Sequence, residues 1–295
     1  TQLRQQLPEC EISYVNLSAS CSRERSPRVY EEAENCASFA RYVREQMPLT
    51  ETRTESTGFR VVNSDDFRLD LALRREAKFA LPGVDVGKVR GILAGNLRRQ
   101  IHNDRVSVVR SVYFDDALFS CCHANLYGLA SRRKLRIRWY DAPLPGTSFF
   151  VEVKWRENQI TGKRRWQIET ASPLTQFSYR DISRQIAECV DEGDRILAWQ
   201  LTEPVAIVEY QREHFVSACG DFRFTLDYEL RFTDQTCRTR MSTGFATEAA
   251  GLVIIEGKCP PGRDGELRRL LHPLAPRVTS SSKYVLGCQL LGLAR

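Results

Sequence analysis

The segments KLRIRWYD (Lys134–Asp141) and FFVEVKWREN (Phe149–Asn158) decide the fold, and a break that contains proline and glycine separates them. Charged and apolar residues alternate in both segments, and QITGKRRW (Gln159–Trp166) continues the basic character. Because side chains along a strand point to opposite faces in turn, each segment is predicted to be a strand with one charged and one apolar face. The charged faces consist almost entirely of long cations, which repel one another unless an anion lies along them.

The same alternation recurs in other parts of the chain. The segments that show it are Leu69–Pro82, Val205–Val216, Phe222–Phe232 and Gly251–Lys258. An open sheet would expose its edges and its apolar face to water, whereas a closed barrel with helices packed outside satisfies both faces. We therefore predict an α+β fold, in which an antiparallel β-barrel encloses a tunnel lined with Arg, Lys and a few Glu.

Composition and charge are those of a globular protein with one strongly basic region. Of the 295 residues, 42% are hydrophobic and 27% are charged, and the net charge is +6. Residues 69–165 contain 19 Lys and Arg against 9 Asp and Glu, so the excess positive charge coincides with the alternating strands. This distribution favours an anionic ligand at a defined site over general binding to nucleic acid or membrane.

The cysteines and the hydropathy of the chain indicate the cellular compartment of the protein. The ten cysteines form no CxxC pair, and Cys121 and Cys122 are adjacent, which suits neither an ordinary disulfide nor a tetrahedral zinc site. Reduced, buried thiols are therefore expected. Apolar runs stay well short of the roughly 20 residues that a membrane span needs. We expect a cytoplasmic protein without an intrinsic membrane span, for which any association with a membrane would come through a membrane-protein partner.

Two regions are expected along the chain. Residues 1–68 are predicted to form an N-terminal arm that is largely irregular, with one helix at Val29–Met47, and residues 69–295 to form the tunnel-barrel catalytic domain. Within that domain the apolar periodicity predicts helices on the outside of the barrel. They fall at Val86–Ile101, Leu118–Leu126, Leu174–Leu201 and Leu267–Leu271.

The cations of the alternating strands have the chemistry that a row of phosphates requires. Each phosphate oxygen favours a charge-assisted hydrogen bond, for which Arg supplies a planar fork and Lys a point charge. The residues predicted for this role are Arg136, Arg138, Lys154, Lys163, Arg165, Arg212 and Arg223. The alternative, paired charges on an exposed sheet, is disfavoured because neighbouring acids are few.

Carboxylates on the same strands suggest a divalent metal. Mg²⁺ and Mn²⁺ take oxygen ligands and accept several from a phosphate substrate. Glu256 is the first candidate metal ligand, followed by Glu76 and Glu152. For Glu76 and Glu152, a salt bridge to a neighbouring Lys or Arg is an equally open interpretation.

Several other motifs do not indicate a site. GVDVGK (Gly83–Lys88) has too short a glycine spacing for a phosphate loop and lacks the required Ser or Thr after the lysine. The four histidines have no metal-ligand spacing, and no nucleophile motif is present. Trp139 and Trp155 fall on the strand face opposite the cations, which predicts packing on the outer wall and not base stacking.

Nine short motifs in order resemble the VTC domain, the polyphosphate polymerase branch of the triphosphate tunnel metalloenzyme (CYTH-like) superfamily, in its stand-alone bacterial form. The motifs are RREAKF, SVYFDD, RRKLRIRWYD, FFVEVKWR, GKRRW, VEYQRE, FRFTLDYEL, IIEGK and SSKYVLG, between Leu69 and Leu293. The resemblance implies an ATP-dependent phosphotransferase that uses Mn²⁺ or Mg²⁺ to transfer the terminal phosphate of ATP to inorganic polyphosphate.

The resemblance also implies roles for individual residues, with Glu256 holding the metal and Ser282 assisting the cations. The phosphate-holding set is Lys78, Arg136, Arg138, Lys154, Lys163, Arg212, Arg223, Lys258 and Lys283. One position departs from the superfamily pattern Glu-x-Glu-x-Lys, because Arg74 replaces the first acid. This favours the polymerase over a tripolyphosphate or nucleoside triphosphate hydrolase. A polyphosphate-binding module without activity is the third interpretation.

Overall fold

The computed structural model describes residues 58–65, 75–102, 104–158, 160–274, 276–280 and 282–294. The predicted helix at Val29–Met47, and Arg74 of the first charged strand, lie outside these residues. Eleven strands are present in the described part: β1 Phe59–Asp65, β2 Arg75–Pro82, β3 Arg98–Gln100, β4 Ser107–Asp115, β5 Ser131–Tyr140, β6 Ser148–Glu157, β7 Ile160–Thr170, β8 Glu203–Val216, β9 Arg223–Asp234, β10 Thr247–Glu248 and β11 Leu252–Cys259. Six α-helices accompany them: α1 Val86–Asn96, α2 Ser120–Leu126, α3 Tyr179–Cys189, α4 Glu192–Gln200, α5 Asp264–Leu270 and α6 Lys283–Leu290.

All the strands belong to one sheet, and every strand pair in it is antiparallel. The main path runs β1-β7-β6-β5-β4-β8-β9-β11-β2, with β3 added beside β8 and β10 beside β9. The predicted α+β class and antiparallel sheet are therefore confirmed. No described helix is long and apolar enough to cross a membrane.

The sheet is strongly curled, but it is not a closed barrel. Lys154 on β6 lies 3.8 Å from Glu76 on β2, although these strands are six places apart along the sheet. Closure is absent because the outer edge of β2 meets another segment: Phe79 bridges to Val278, and the Thr279 amide donates to the Lys78 carbonyl at 2.8 Å. The prediction of a closed barrel was wrong, since it overlooked that a short segment of chain can cover a strand edge.

Strand β1 was not predicted, because its sequence FRVVNSD has no regular alternation. It pairs antiparallel with β7 and so extends the sheet into the segment that the sequence analysis assigned to the N-terminal arm. The boundary at residue 68 itself stays a prediction.

Helices cover the apolar face of the sheet. Ile182 and Ile186 on α3 are fully buried, together with Trp166 and Ile168 of β7 in the larger hydrophobic core. The predicted helical segment Leu174–Leu201 is confirmed as a cover, but it consists of two helices that are separated near Val190. The apolar periodicity of Leu174–Leu201 places Ile196 on the inward side of the predicted helix, but Ile196 is 71% exposed on α4.

The smaller core lies under α1. Val89 and Leu93, which the apolar periodicity of Val86–Ile101 places on the inner side, are buried there against Phe79, Phe224 and Ile255 of the sheet. The periodicity of the same segment places Arg90 on the solvent side, but Arg90 donates to the buried carboxylate of Glu213 at 2.8 Å.

Helix α6 does not follow the prediction that helices pack only on the outside. Its Lys283 is 8% exposed and forms ion pairs with acids on the charged face. Gly287 allows the close approach of α6 to β9, since a Cβ at this position would lie 2.6 Å from the ring of Phe232. A glycine here therefore lets the helix place its first turn over the charged face.

Candidate functional site: two charged clusters on one curled face

The register of the strands places the predicted cations on one common face. Arg136 lies opposite Glu152, and Glu152 lies opposite Arg165, so these three form a row across β5, β6 and β7. On the other side of the curl, Arg212 lies opposite Asp227 and Lys78 opposite Glu256. Directly opposite residues share a face, and the charged side chains of both rows therefore point into the same concave space.

Glu152 is the centre of the first group. It is 1% exposed, and four cations surround it: Arg136 at 2.5 Å, Arg138 at 3.7 Å, Lys163 at 3.5 Å and Arg165 at 3.4 Å. We call these five residues the Glu152 cluster. It contains one acid for four cations, so its net charge is strongly positive.

The electrostatics of the Glu152 cluster follow from this imbalance. Burial alone would raise the pKa of Glu152, but Arg136, Arg138, Lys163 and Arg165 together hold it well below the usual range. The opposite applies to Lys163, whose pKa is lowered because burial and the neighbouring arginines outweigh the attraction of Glu152. One carboxylate therefore does not satisfy the cations around it.

The second group contains three acids. Glu256 accepts from Lys283 at 3.1 Å and lies 3.5 Å from both Lys78 and Arg212. Asp227 is fully buried and binds Arg212 through two hydrogen bonds of 2.6 Å. We call Glu76, Asp227 and Glu256, with their partners, the three-acid cluster; the partners are Lys78, Lys154, Arg212, Lys258 and Lys283.

The surrounding cations lower the pKa of two acids in this second cluster, Glu256 and Glu76. For Glu256, burial raises the pKa, but Lys283, Lys78 and Arg212 lower it well below the usual range. For Glu76 the same competition between burial and the charges of Lys154 and Lys78 lowers the pKa to about 2.

Lys154 lies between the two clusters. The charge of Glu76 raises its pKa, but burial and the charges of Lys78 and Lys258 outweigh this, and the pKa is lowered to about 8. Half of the Lys154 side chains would therefore be uncharged near pH 8 in the free protein.

The predicted site residues are thus brought together, with one residue at the margin. Arg223 is exposed at the start of β9 and makes no ion pair with a described residue, although it lies opposite Lys258 on the same face. Trp139 is buried in the core on the opposite face, as predicted for outer-wall packing, whereas Trp155 is half-buried.

Tyr210 joins the two clusters and was not predicted as a site residue. Its hydroxyl accepts from Arg138 at 3.4 Å, while Arg212 lies 5.1 Å and Lys283 4.7 Å from the centre of its ring. A tyrosine that contacts cations through both its hydroxyl and its ring fixes three basic side chains at once. The sequence offered a signal, because Tyr210 alternates with Arg212 on the charged face of β8.

Asp227 and Lys134 were also absent from the predicted set, although both alternate with predicted residues on their strands. Asp227 matters because it is fully buried and holds Arg212 and Lys283 together. Lys134 on β5 donates to Ser282 Oγ at 2.9 Å, which brings the predicted Ser282 to the same face.

A buried aspartate fixes helix α6 over this face. Asp115 accepts from the Tyr284 hydroxyl at 2.6 Å and from the backbone amides of Cys121 and Cys122 at the start of α2. The Tyr284 ring also stacks on Tyr113, with 4.9 Å between ring centres. These contacts hold α6 so that Ser282 and Lys283 reach the charged clusters.

A cavity of about 190 Å³ opens next to the Glu152 cluster. Its lining residues are Asn63, Phe150, Arg165 and Gln167. The guanidinium of Arg165 lies 3.6 Å from the centre of the Phe150 ring, and its buried Nε makes no hydrogen bond with a described residue. Arg165 therefore connects the cluster to an open space that polar side chains border.

Only part of the predicted carboxylate set suits a divalent metal. Glu76 and Glu256 share the ammonium of Lys78, at 3.2 and 3.5 Å, and their negative charges influence each other. Two neighbouring carboxylates match the number that Mg²⁺ takes from protein when phosphates supply further oxygens. Glu152 does not suit a divalent metal, because four cations from β5 and β7 already surround its carboxylate. Within the described residues, no group of three or more His, Cys, Asp or Glu could hold a metal by itself.

Comparison with protein families assigns the chain to one of them. The protein is built on a curled antiparallel sheet that carries a network of cations and acids on its concave face. The family model of the VTC domain matches residues 31–292, and the chain belongs to that family. The match begins well before residue 69, where the motifs of the sequence analysis begin.

Solved structures give more distant likenesses. The PH1819 protein from Pyrococcus horikoshii OT3 is 12% identical, with 74% of this chain and 98% of that chain covered and a TM-score of 0.41. HpAC1 from Hippeastrum, described with a dominant triphosphatase activity, is 14% identical, with 73% and 96% covered and a TM-score of 0.42. Likenesses at this level carry no argument about function. The comparison with curated proteins gave no match.

Proposed function

We propose that this protein is a polyphosphate polymerase, which uses a divalent metal to transfer the terminal phosphate of ATP to a growing inorganic polyphosphate chain. The observation that carries the proposal is the Glu152 cluster, in which four cations from two strands share one buried acid on the strand between them. Such an imbalance needs an anion with several charges, and a chain of phosphates supplies one charge or more at each unit. Membership of the VTC family supports the same conclusion.

Arg136 and Arg138 are the proposed catalytic arginines. Arg136 is held by Glu152 and by the Tyr113 hydroxyl at 2.8 Å, and Arg138 is fixed by Ser111 and Tyr210. Guanidinium groups that neighbours fix in advance stabilise the charge of a phosphoryl transition state without reorganisation. Lys154, Arg212 and Arg223 would act with them on the transferred group.

The remaining predicted cations would bind the phosphates that do not react. These are Lys78, Lys163, Arg165, Lys258, Lys283 and, through its hydroxyl, Ser282. They come from β2, β7, β11 and α6, so together they extend over the concave face. A row of this length suits a chain substrate better than a single phosphate ion.

Glu76 and Glu256 would hold the divalent metal, Mn²⁺ or Mg²⁺, which neutralises charge on the phosphate oxygens when it is bound. The protein side chains then need only to align the donor and acceptor. A terminal phosphate oxygen of polyphosphate is already ionised near neutral pH, so the acceptor needs no general base.

The test is incubation of the purified protein with ATP and either Mn²⁺ or Mg²⁺, with the products separated by gel electrophoresis. We expect long polyphosphate chains that stain on the gel, together with ADP. Free phosphate without chains would assign the protein to the hydrolases of tripolyphosphate or nucleoside triphosphates. Binding of polyphosphate without turnover of ATP would indicate the non-catalytic module.

A further inference from the structure

Lys134 differs from the cations of the two clusters in its ion pairs. The cations of the Glu152 cluster and of the three-acid cluster each lie within 4 Å of a carboxylate, whereas Lys134 forms no ion pair with a described residue. Its one hydrogen bond in the described part of the chain is to Ser282 Oγ, at 2.9 Å. An ammonium carries three donors, so two remain for a ligand.

The position of Lys134 makes this lack of a partner significant. Lys134 lies directly opposite Lys154, and Lys154 lies directly opposite Lys163, so three lysines form one row across β5, β6 and β7. Like charges directly opposite each other destabilise a sheet. The next row places Glu152 between Arg136 and Arg165, but the lysine row contains no acid.

We propose that Lys134 is a phosphate-binding residue, which together with Ser282 and the two lysines of its row holds one phosphate of a linear polyphosphate. The inference rests on the proposed function only for the class of ligand. The inference adds Lys134 as a phosphate-contacting residue, and it places the bound phosphate at the row of Lys134, Lys154 and Lys163, next to the Glu152 cluster. Ser282 Oγ can act in the same subsite, because a hydroxyl both donates and accepts.

The surroundings of Lys134 support this assignment. Burial, followed by the charges of nearby cations, holds its pKa well below the usual range. The groups that face it are Lys78 on β2, Lys154 on β6, Arg132 and Arg136 on its own strand, Ser282 at the start of α6, and Cys121 and Cys122 on α2. A bound phosphate would raise this pKa, so binding would be accompanied by proton uptake.

Calorimetric titration with inorganic tripolyphosphate tests the inference, using the full chain and the variants Lys134→Met and Lys134→Arg. Loss of a charge-assisted hydrogen bond weakens binding by roughly tenfold to 100-fold. We expect this loss in Lys134→Met and near-parental affinity in Lys134→Arg. Arg133→Gln is the matched control, because Arg133 is on the same strand but pairs with Glu157 away from the row.

Repeating the titration in two buffers of different ionisation enthalpy gives a second readout, which a merely structural role would not change. The parental protein should take up protons on binding, and Lys134→Met and Lys134→Arg should take up fewer, because neither has a titrating amine at this position. Circular dichroism of each variant establishes that it is folded.

The outcomes separate this inference from the proposed function. If Lys134→Met binds tripolyphosphate as tightly as the parent does, the inference is overturned whether or not the protein makes polymer. If the parent binds tripolyphosphate and depends on Lys134 but makes no chains from ATP, the proposed polymerase activity fails and the inference stands. A parental protein that does not bind tripolyphosphate overturns both.

Discussion

The two charged clusters use the same residue types but differ in their charge balance. Around Glu152, four cations share one acid that is 1% exposed, whereas in the three-acid cluster five cations share the three acids Glu76, Asp227 and Glu256. The comparison suggests a division of roles on one face. The Glu152 cluster is suited to an anion, and the three-acid cluster is suited to holding a metal ion beside it.

The largest expected effect comes from removing a cation of the Glu152 cluster. Arg136→Ala should lower turnover with ATP by roughly 100-fold to 1,000-fold, as the loss of one fixed transition-state donor does elsewhere. The fold should persist, because Glu152 keeps three other cations. Initial rates of chain synthesis measure the effect, and Arg133→Ala, which removes a cation from the opposite face of the same strand, is the control. If Arg136→Ala synthesised chains at the parental rate, the proposed catalytic role of this cluster would be wrong.

Removing the acid of the same cluster should affect stability. Glu152→Gln leaves four cations without their shared counter-charge, which should cost about 3 kcal/mol in the free energy of unfolding. Urea denaturation measures this cost. Glu169→Gln, which breaks the exposed pair with Arg60, should cost less than about 1 kcal/mol. Tripolyphosphate should restore more stability to Glu152→Gln than to the parent, since the bound anion replaces the lost charge. Equal costs for both substitutions would contradict the account.

A change in the three-acid cluster should instead alter the metal dependence. Glu256→Gln removes one of the two proposed ligands, and we expect the metal concentration for half-maximal activity to rise by roughly tenfold or more. Titration of activity with Mn²⁺ measures this shift. Glu248→Gln provides a surface control, because Glu248 pairs with Arg231 at the edge of the sheet and is 55% exposed. If Glu256→Gln lowered turnover without changing the metal requirement, the assignment of Glu256 as a ligand would be wrong.

Lys154, between the clusters, should make anion binding depend on pH. Its pKa is about 8, so it loses its positive charge as the pH rises through 8. Tripolyphosphate affinity, measured with a chelator present, should therefore decline between about pH 7 and pH 9. Lys154→Arg should make this decline shallower, because a guanidinium stays protonated. An identical decline in that variant would assign the titration to another group.

The smallest effect is expected from removing the hydrogen bond that holds α6 in place. Tyr284→Phe removes the hydrogen bond to Asp115, which keeps its bonds to the backbone amides of α2, so the loss should be about 1.5 kcal/mol of stability. Turnover should fall less than threefold. Thermal unfolding and initial rates measure the two quantities. A large loss of turnover in a protein of parental stability would show that Tyr284 acts in the site more directly.

The charged face could be predicted from the sequence because strand alternation with a period of two is a local signal. Arg136, Arg138, Lys154, Arg212 and Glu256 all lie on the face that the alternation indicated. Contacts between distant strands carry no such signal. The role of Tyr210 between the clusters and the choice of Glu152 as an enclosed acid depend on how the sheet curls, and the sequence pattern does not encode this curl.

The edges of the sheet could not be predicted from local sequence patterns either. Strand β1 lacks alternation and pairs with a strand about 100 residues later in the chain. The covering of β2 by Val278 and Thr279 likewise joins segments about 200 residues apart. A closed barrel was the simplest solution for a set of amphipathic strands, but a short covering segment satisfies the same edge without closure.

A crystal structure of the protein with tripolyphosphate and Mn²⁺ tests the division of roles most directly. We expect the phosphates to contact Arg136, Arg138 and the lysine row, with the metal beside Glu76 and Glu256. Phosphates bound instead on the outer face, for example at Arg90 and Arg99 beside Glu213, would contradict the account.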